Sequence, residues 1–415
     1  MRLELPPPDR RSFARRAERC LRDLGVTGAI QFDSDNFALA YHDSGGQEQT
    51  TGLANVYADC RRASPWRRSR LLRDFFIASL AAPTTPSAWS EAKGLVLPAV
   101  RHRIAFEVNR LPAQVAGQVP PEYPFESLPG GLVTVLAVDS ATSISMPDRE
   151  IQASWGIPFS QALAQAVANL DARSEPRWTS PQPGLYVSAW DDDYDCSRIH
   201  SDRALRGLAV EDRMVAILPD RNCLVVTGLG DPDALRAAFV LAAERHHPRP
   251  VSLIPLVRSW PAWEALELDE RHSCYDLWRR LVLTTQAEVY EQQKQALESL
   301  FLRGDRDILV ARFIVDEDAG DHPRSRSVWT RDVLSLLPET DLVALVDPSR
   351  PKGEENLGWF EWSTIVEECR DHFTPTSFYP IRHQVQGFPN ALELERLRAA
   401  ATWPQGTPDG MESCS

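Results

Sequence analysis

Long apolar segments are absent from this sequence of 415 residues. No run of about 18 apolar residues occurs. The first residues, MRLELPPPDR, also lack the hydrophobic stretch and small-residue cleavage site of a secretory signal. Neither a membrane-spanning helix nor export is therefore predicted. We expect a soluble, cytoplasmic protein that has no membrane partner.

Cysteine occurs in no pattern that would bind a metal or build a disulfide framework. The seven cysteines are odd in number, lie far apart and never form a Cys-x-x-Cys pair. Zinc ribbons need paired cysteines, and small secreted domains need an even set of them. The sequence therefore predicts neither, which fits a reducing cytoplasm.

Lysine is also scarce, because only three of the 45 basic residues are lysines. The net charge is −13, but residues 1–73 are basic, with 13 arginines against nine acidic residues. Two arginine clusters there, RRSFARRAERCLR and RRASPWRRSR, could contact a phosphate backbone. Arginine is the usual cation throughout this chain, however, and the acidic net charge disfavours binding to polyanions. We do not predict a nucleic-acid partner.

Signatures of nucleophilic or nucleotide-dependent catalysis are missing. The sequence has no Gly-x-Ser-x-Gly elbow. Gly228-x-Gly230 precedes a predicted helix, but the third glycine of a dinucleotide fingerprint is absent, and Asp231 and Asp233 would repel an anion. Asp231 as N-cap, with Pro232 at the first helical position, explains this stretch better. No cofactor is predicted.

Length and periodicity predict an α+β fold of several parts. The chain is too long for one ordinary core, and its composition is globular, with 43% apolar and 25% charged residues. We predict a helix–hairpin–helix segment over residues 1–90 and an α+β module over 91–265, so that a mixed sheet with packed helices fills the first two thirds. A separate, smaller α/β domain with a disordered tail follows over 266–415.

Within these parts the patterns predict particular elements. The first part contains helices over 9–24 and 67–81, with a hairpin between them. The middle part contains a strand over 132–140, a helix over 158–170, a hairpin over 213–228 and a helix from Pro232. The last part contains a helix over 274–301 with a possible break at Thr284 and Thr285, a strand over 307–315, an exposed loop over 316–327, a short helix ending at Pro338, strands over 341–347 and 377–385, and a helix over 361–369.

The densest chemistry lies in DDDYDCSRIH, residues 191–200. Asp191, Asp193, Asp195 and Asp202 mimic the spacing of a calcium loop. Position six of that loop is Cys196, where a sharp turn needs glycine, and a strand precedes it where a helix is needed. The calcium interpretation is therefore not favoured.

Two other interpretations of this stretch stay open. Asp192, Asp195 and His200 could fix an ion that activates water, as in a metal-dependent hydrolase. Alternatively, Asp195 accepts hydrogen bonds from the amides of a helix that begins at Cys196 or Ser197, while Arg198 pairs with a nearby carboxylate. We favour the second interpretation, a joint between a strand and a helix, and predict no metal.

Four segments, VLPAVRHR, WGIPFSQALAQAVANL, DDYDCSRI and VAILPDRNCLVV, resemble in order and spacing the YtpQ-like family of bacterial cytosolic proteins, whose function is not established. The resemblance covers about residues 10–265 and implies an α+β module of one extended sheet with packed helices, but no activity. Asp193 departs from the family pattern, which has glycine there. The polar positions that match are Arg101, Asn169, Asp192, Tyr194, Asp195, Ser197 and Arg198.

The function that follows is a non-catalytic binding or adaptor protein. Its recognition surface would use the basic N-terminal helices and exposed tryptophans, whose flat rings lose little entropy on binding. Six of the twelve tryptophans are candidates, although packing in the core is the commoner role of this residue: Trp190, Trp260, Trp263, Trp329, Trp359 and Trp362. The predicted partner is another protein. The alternative is a metal-dependent hydrolase centred on Asp192, Asp195 and His200.

Overall fold

A computed structural model describes residues 9–34, 37–42, 48–80, 85–120, 122–140, 144–246, 249–260, 262–317 and 322–400. Within them, twelve helices and five sheets of mostly antiparallel strands form an α+β fold, which confirms the predicted class. The predicted disordered tail lies outside the described residues. None of the described helices is both long enough and apolar enough to cross a membrane.

The N-terminal part packs three helices against a small antiparallel sheet. Its elements are α1 (Arg10–Asp23), β1 (Gln31–Asp33), β2 (Ala38–His42), β3 (Glu48–Gly52), α2 (Ala54–Arg62) and α3 (Pro65–Leu80). Asp9 caps α1 by accepting a hydrogen bond from the Ser12 amide, and α1 buries Phe13 and Leu21. The two predicted helices and the hairpin of β1 and β2 are confirmed, whereas β3 and α2 were not predicted.

The middle part contains two antiparallel sheets. Its elements are α4 (Trp89–Ala92), β4 (Val96–His102), α5 (Ile104–Val115), β5 (Glu126–Leu128), β6 (Leu132–Asp139), β7 (Ile144–Ser145), α6 (Arg149–Ser154), α7 (Phe159–Ala172), β8 (Trp178–Gln182), β9 (Leu185–Ser188), a 3-10 helix (Cys196–His200), α8 (Asp202–Leu205), β10 (Met214–Asp220), β11 (Cys223–Gly228), α9 (Pro232–Glu244), β12 (Pro250–Ser259) and β13 (Ala262–Ala265). One sheet has the order β4-β6-β5, with β7 also on β6, and the other the order β13-β12-β10-β11-β9-β8.

This arrangement corrects two expectations about the sheets. The described strands up to residue 265 pair only antiparallel, so the predicted mixed sheet is wrong for this part. The strands also divide between two sheets in the middle part, where the resemblance implied one. The predicted hairpin is confirmed as β10 and β11, and the predicted Asp231 cap accepts hydrogen bonds from the Asp233 and Ala234 amides.

The C-terminal part places two four-stranded sheets beside one long helix. Its elements are α10 (Tyr275–Arg303), β14 (Leu309–Val310), β15 (Ile314–Glu317), β16 (Pro323–Thr330), β17 (Ser335–Pro338), β18 (Leu342–Val346), β19 (Asn356–Glu361), α11 (Trp362–Glu368), a second 3-10 helix (Arg370–His372), β20 (Phe373–Pro375), β21 (Arg382–Val385) and α12 (Ala391–Ala400). The sheet orders are β14-β17-β21-β20 and β15-β16-β18-β19, and each contains one parallel pair.

Several local predictions fail in this part. α10 runs unbroken through Thr284 and Thr285, and the Thr285 hydroxyl accepts a hydrogen bond from the Leu253 amide of β12. The predicted short helix ending at Pro338 is the strand β17. Of the predicted exposed loop over 316–327, residues 316–317 belong to β15 and residues 323–327 to β16, whereas 318–321 lie outside the described residues. β16 turns one proline, two serines and a tryptophan inward, so its buried face lacks the aliphatic alternation that identifies a strand.

α10 packs on both sides of the predicted boundary at residue 265. Leu281 belongs to the core of the six-stranded sheet, while Leu297 and Phe301 pack with Leu111 of α5 and Leu336 of β17. The division of the chain into three parts stays a prediction.

Candidate functional site

The acidic stretch forms a tight turn between β9 and the first 3-10 helix. Asp191 and Asp193 both have left-handed backbone conformations, with φ of 54° and 68°. Aspartate tolerates this region better than most residues other than glycine and asparagine. The turn reverses the chain, so that the 3-10 helix lies against β4, β10 and β11.

Asp195 organises the backbone before it and caps no helix. Its carboxylate accepts hydrogen bonds from the Trp190 amide at 3.1 Å, from the Asp192 amide at 3.4 Å and from the Ser188 hydroxyl. No side-chain cap of the 3-10 helix is formed, so the prediction that Asp195 accepts hydrogen bonds from the amides of that helix is wrong. Burial raises the pKa of this carboxyl.

Arg198 and Asp192 form the central ion pair of the joint, which confirms the predicted pairing of Arg198 with a carboxylate. Two guanidinium nitrogens of Arg198 donate to the two Asp192 oxygens at 2.8 and 2.7 Å. Arg198 is fully buried, donates from Nε to the Ser174 hydroxyl, and lies over the Trp190 ring. Burial opposes ionisation of Asp192, but Arg198 outweighs it and lowers the pKa of that carboxyl.

The other matching positions join β4 to its neighbours. The Ser197 hydroxyl accepts a hydrogen bond from the Val100 amide at 3.0 Å, which ties the 3-10 helix to β4. Asn169 of α7 donates to the carbonyls of Lys93 and Val96, both at 2.9 Å. Arg101 and Tyr194 are buried on the same side of β4 as Leu97 and Ala99. Arg101, Tyr194 and Ser197 therefore surround the joint, whereas Asn169 pins α7 to the start of β4.

Asp193 contacts a residue that was not singled out from the sequence. Its carboxylate accepts from Arg249 at 2.5 Å, and Arg249 also donates to Asp59 of α2 at 2.6 Å. This bridge joins the turn to the N-terminal helices. Arg249 and Asp59 lie 190 residues apart, so no local pattern could have paired them.

The proposed metal ligands are each bonded to a different partner. Asp192 forms an ion pair with Arg198, and Asp195 accepts hydrogen bonds from backbone amides. His200 shares a hydrogen bond with the Thr134 hydroxyl at 2.9 Å. Across the part of the chain that the structure describes, no three His, Cys, Asp or Glu side chains are grouped to hold a metal ion.

Comparison of the chain with protein-family models, with curated proteins and with solved structures finds no match.

Two buried histidines should make stability depend on pH. Burial lowers the pKa of His102 and of His200 to about 4, and His102 Nδ1 accepts a hydrogen bond from the Ile104 amide, which protonation would remove. Because the unfolded pKa is higher, the unfolded chain binds more protons between pH 6.5 and 4, and stability falls as pH falls through this window. We expect a loss of about 1 kcal/mol per histidine between pH 7 and 5.5.

Urea unfolding at both pH values measures this loss. His102→Asn and His200→Gln should each reduce it by about 1 kcal/mol, whereas His42→Gln, at an exposed position, should leave it unchanged. Equal pH dependence in all three variants would contradict neutral histidines in the folded protein.

Proposed function

We propose that this chain is a cytoplasmic, non-catalytic binding protein that holds an acidic segment of another protein on its α1–α3 surface. We define that surface by the exposed residues Arg11, Arg15, Arg19, Trp66, Arg67, Arg70 and Arg73. The observation that carries the proposal is Trp66, the second residue of α3, which has 75% of its surface exposed among these arginines.

The position of Trp66 is unusual in this chain. Among the described tryptophans, only Trp66 and Trp260 are exposed, and the others are buried or half-buried. Of the six candidates taken from the sequence, three are buried, two are half-buried, and Trp260 alone is exposed, at 70% and with the Arg258 guanidinium over its ring. Exposed tryptophan and arginine are the residues that most often dominate binding energy at protein interfaces.

The arginines of the surface are available for a partner. The Arg16 side chain donates to the Ser69 hydroxyl at 3.2 Å, which holds α1 beside α3. Arg70 pairs with Asp74, but Arg11, Arg15, Arg67 and Arg73 have no carboxylate partner among the described residues. A short acidic segment could neutralise this patch. The negative charge of the remaining chain would repel a long polyanion, so a nucleic-acid partner is disfavoured.

The hydrogen bonds and the ion pair within the polar joint support a non-catalytic role. Asp192, Asp195 and Arg198 bind one another or nearby backbone, as described above, so they stabilise a turn and leave no free acid–base pair there. The positive φ of Asp193, at the position where the YtpQ-like pattern has glycine, supports membership of residues 10–265 in that family, which we propose as well.

Affinity capture from a nuclease-treated lysate of the native host tests the proposal. The wild-type chain should retain an acidic protein, and Trp66→Ala combined with Arg67→Glu should reduce its capture about tenfold or more, because both an anchor and a charge are lost. Raising the salt concentration should also weaken binding. The purified partner can then be titrated by calorimetry.

Trp260→Ala is the matched control, since it removes the other exposed tryptophan and should leave capture unchanged. Circular dichroism checks that each variant is folded. Equal capture by the wild type and the Trp66 variant would contradict the proposed surface. Capture that occurs from an untreated lysate but not from the nuclease-treated one would indicate a nucleic-acid partner instead.

A further inference from the structure

Arg101 is a buried cation that forms no ion pair with any described residue. It lies on β4 with only 4% of its surface exposed. Its Nη1 donates a hydrogen bond to the carbonyl of its own neighbour, Val100, at 2.7 Å, whereas its buried Nε has no hydrogen-bond partner among the described residues. A guanidinium has five N–H donors, and burying one unpaired is costly. The buried guanidinium of Arg101 therefore has N–H groups that can still donate hydrogen bonds to an acceptor.

Two further donors belong to the same joint at β4. The Tyr194 side chain packs on the face of β4 that carries Leu97 and Ala99, and its buried hydroxyl has no hydrogen-bond partner within the described part of the chain. Arg221 comes next through Cys196, because the Cys196 amide donates to the Arg221 carbonyl at 3.2 Å and its thiol contacts the Val100 carbonyl at 3.7 Å. Burial and the neighbouring cations Arg101 and Arg249 lower the pKa of Arg221 to about 10. The positive charge of Arg101 therefore disfavours the charged form of Arg221.

The carboxylates near this cluster are already bound elsewhere. Asp139 pairs with Arg173, Asp192 with Arg198, and Asp193 with Arg249. Asp195 accepts from backbone amides. None of them pairs with Arg101 or Arg221, so no carboxylate among the described residues is a direct counter-ion for either guanidinium.

We propose that Arg101, Arg221 and the Tyr194 hydroxyl bind a phosphate-sized oxyanion. Guanidinium groups match the geometry of phosphoryl oxygens and form strong, charge-assisted hydrogen bonds to them. A bound oxyanion would accept from the unpartnered Arg101 Nε and Tyr194 hydroxyl and would separate the two cations. Arg221 is only partly buried, in the two-residue loop between β10 and β11, so the anion would enter past it.

The site is independent of the α1–α3 surface and can be tested on the full chain without a protein partner. Calorimetry and thermal unfolding with inorganic phosphate, against sodium chloride at equal ionic strength, measure binding. We expect phosphate to bind and to raise Tm by mass action. Arg221→Gln should weaken binding about tenfold or more, because one charged pair is lost. Phenyl phosphate in place of inorganic phosphate distinguishes a phosphoryl group on a larger molecule from the free ion, according to which binds more tightly.

Two variants make the result specific. Tyr194→Phe removes an unpartnered hydroxyl, so it should weaken phosphate binding without lowering Tm in chloride. Arg213→Gln, an exposed arginine at the opposite end of the same hairpin, should bind phosphate like the wild type. The proposal is overturned if millimolar phosphate produces neither heat nor a thermal shift, if Arg221→Gln binds as tightly as the wild type, or if Arg213→Gln loses binding to the same extent.

Discussion

Arg382→Met should lower the free energy of unfolding by about 3 kcal/mol. Arg382 is fully buried in β21, and its guanidinium donates to Gln293 Oε1 at 2.5 Å and to the carbonyls of Ala311, Leu336 and Tyr290. These acceptors belong to α10, to β17 and to the chain after β14. Burial lowers the pKa of Arg382 to about 10, which leaves it charged at neutral pH.

Methionine fills much of the same space but donates no hydrogen bond. The Gln293 oxygen and the Ala311 carbonyl then lose a buried donor, which accounts for most of the expected loss. The Leu336 carbonyl loses less hydrogen-bonding energy, because it also accepts a hydrogen bond from the Ala311 amide. Removing a buried cation recovers part of its desolvation energy, so the net loss is smaller than the sum of four charged hydrogen bonds.

Urea unfolding measured by tryptophan fluorescence provides the test. Arg303→Met, at an exposed position of α10, is the control and should cost less than about 0.5 kcal/mol. Arg382→Lys keeps the charge, but one ammonium cannot donate in the same directions as the planar guanidinium, so most of the loss should remain. A loss below about 1 kcal/mol in Arg382→Met would show that the contacts of Arg382 contribute little to stability.

Asp192→Asn should lower the free energy of unfolding by about 2 kcal/mol. The substitution leaves the fully buried Arg198 without its counter-ion, since an amide presents one acceptor oxygen where the guanidinium needs two. Asp192 itself is 42% exposed, so water can solvate part of the lost contact, and we expect less than the cost of breaking a wholly buried pair.

Asp191→Asn is the control, because it makes the same chemical change at the adjacent exposed residue, which also has a positive φ that asparagine tolerates. Its free energy of unfolding should match that of the wild type. In a double-mutant cycle, Asp192→Asn and Arg198→Met should be non-additive by more than about 1 kcal/mol, since each removes the same pair. Additive losses would mean that the pair contributes no coupling energy to the joint.

The sequence by itself determined the elements whose signals are local. Asp9 and Asp231 cap helices from positions within three residues of the amides they bind, and the periodicity of α1 identifies its buried face. The pairing of Arg198 with a carboxylate was also predictable, because its partner lies six residues away in the same dense stretch. The same stretch, residues 191–200, indicated where the joint lies. The residues of β4 that contact the joint could not be predicted from that stretch.

Only the tertiary structure decided the features that depend on distant residues. β17 is a strand because β14 and β21 pair with it on either side, which overrides its local pattern. Arg382 binds Gln293 across 89 residues of sequence, and the Arg221 carbonyl accepts from the Cys196 amide only when the hairpin of β10 and β11 meets the 3-10 helix. Periodicity and capping act within a few residues, whereas burial of an arginine and the choice of its acceptor depend on which segments the whole chain brings together.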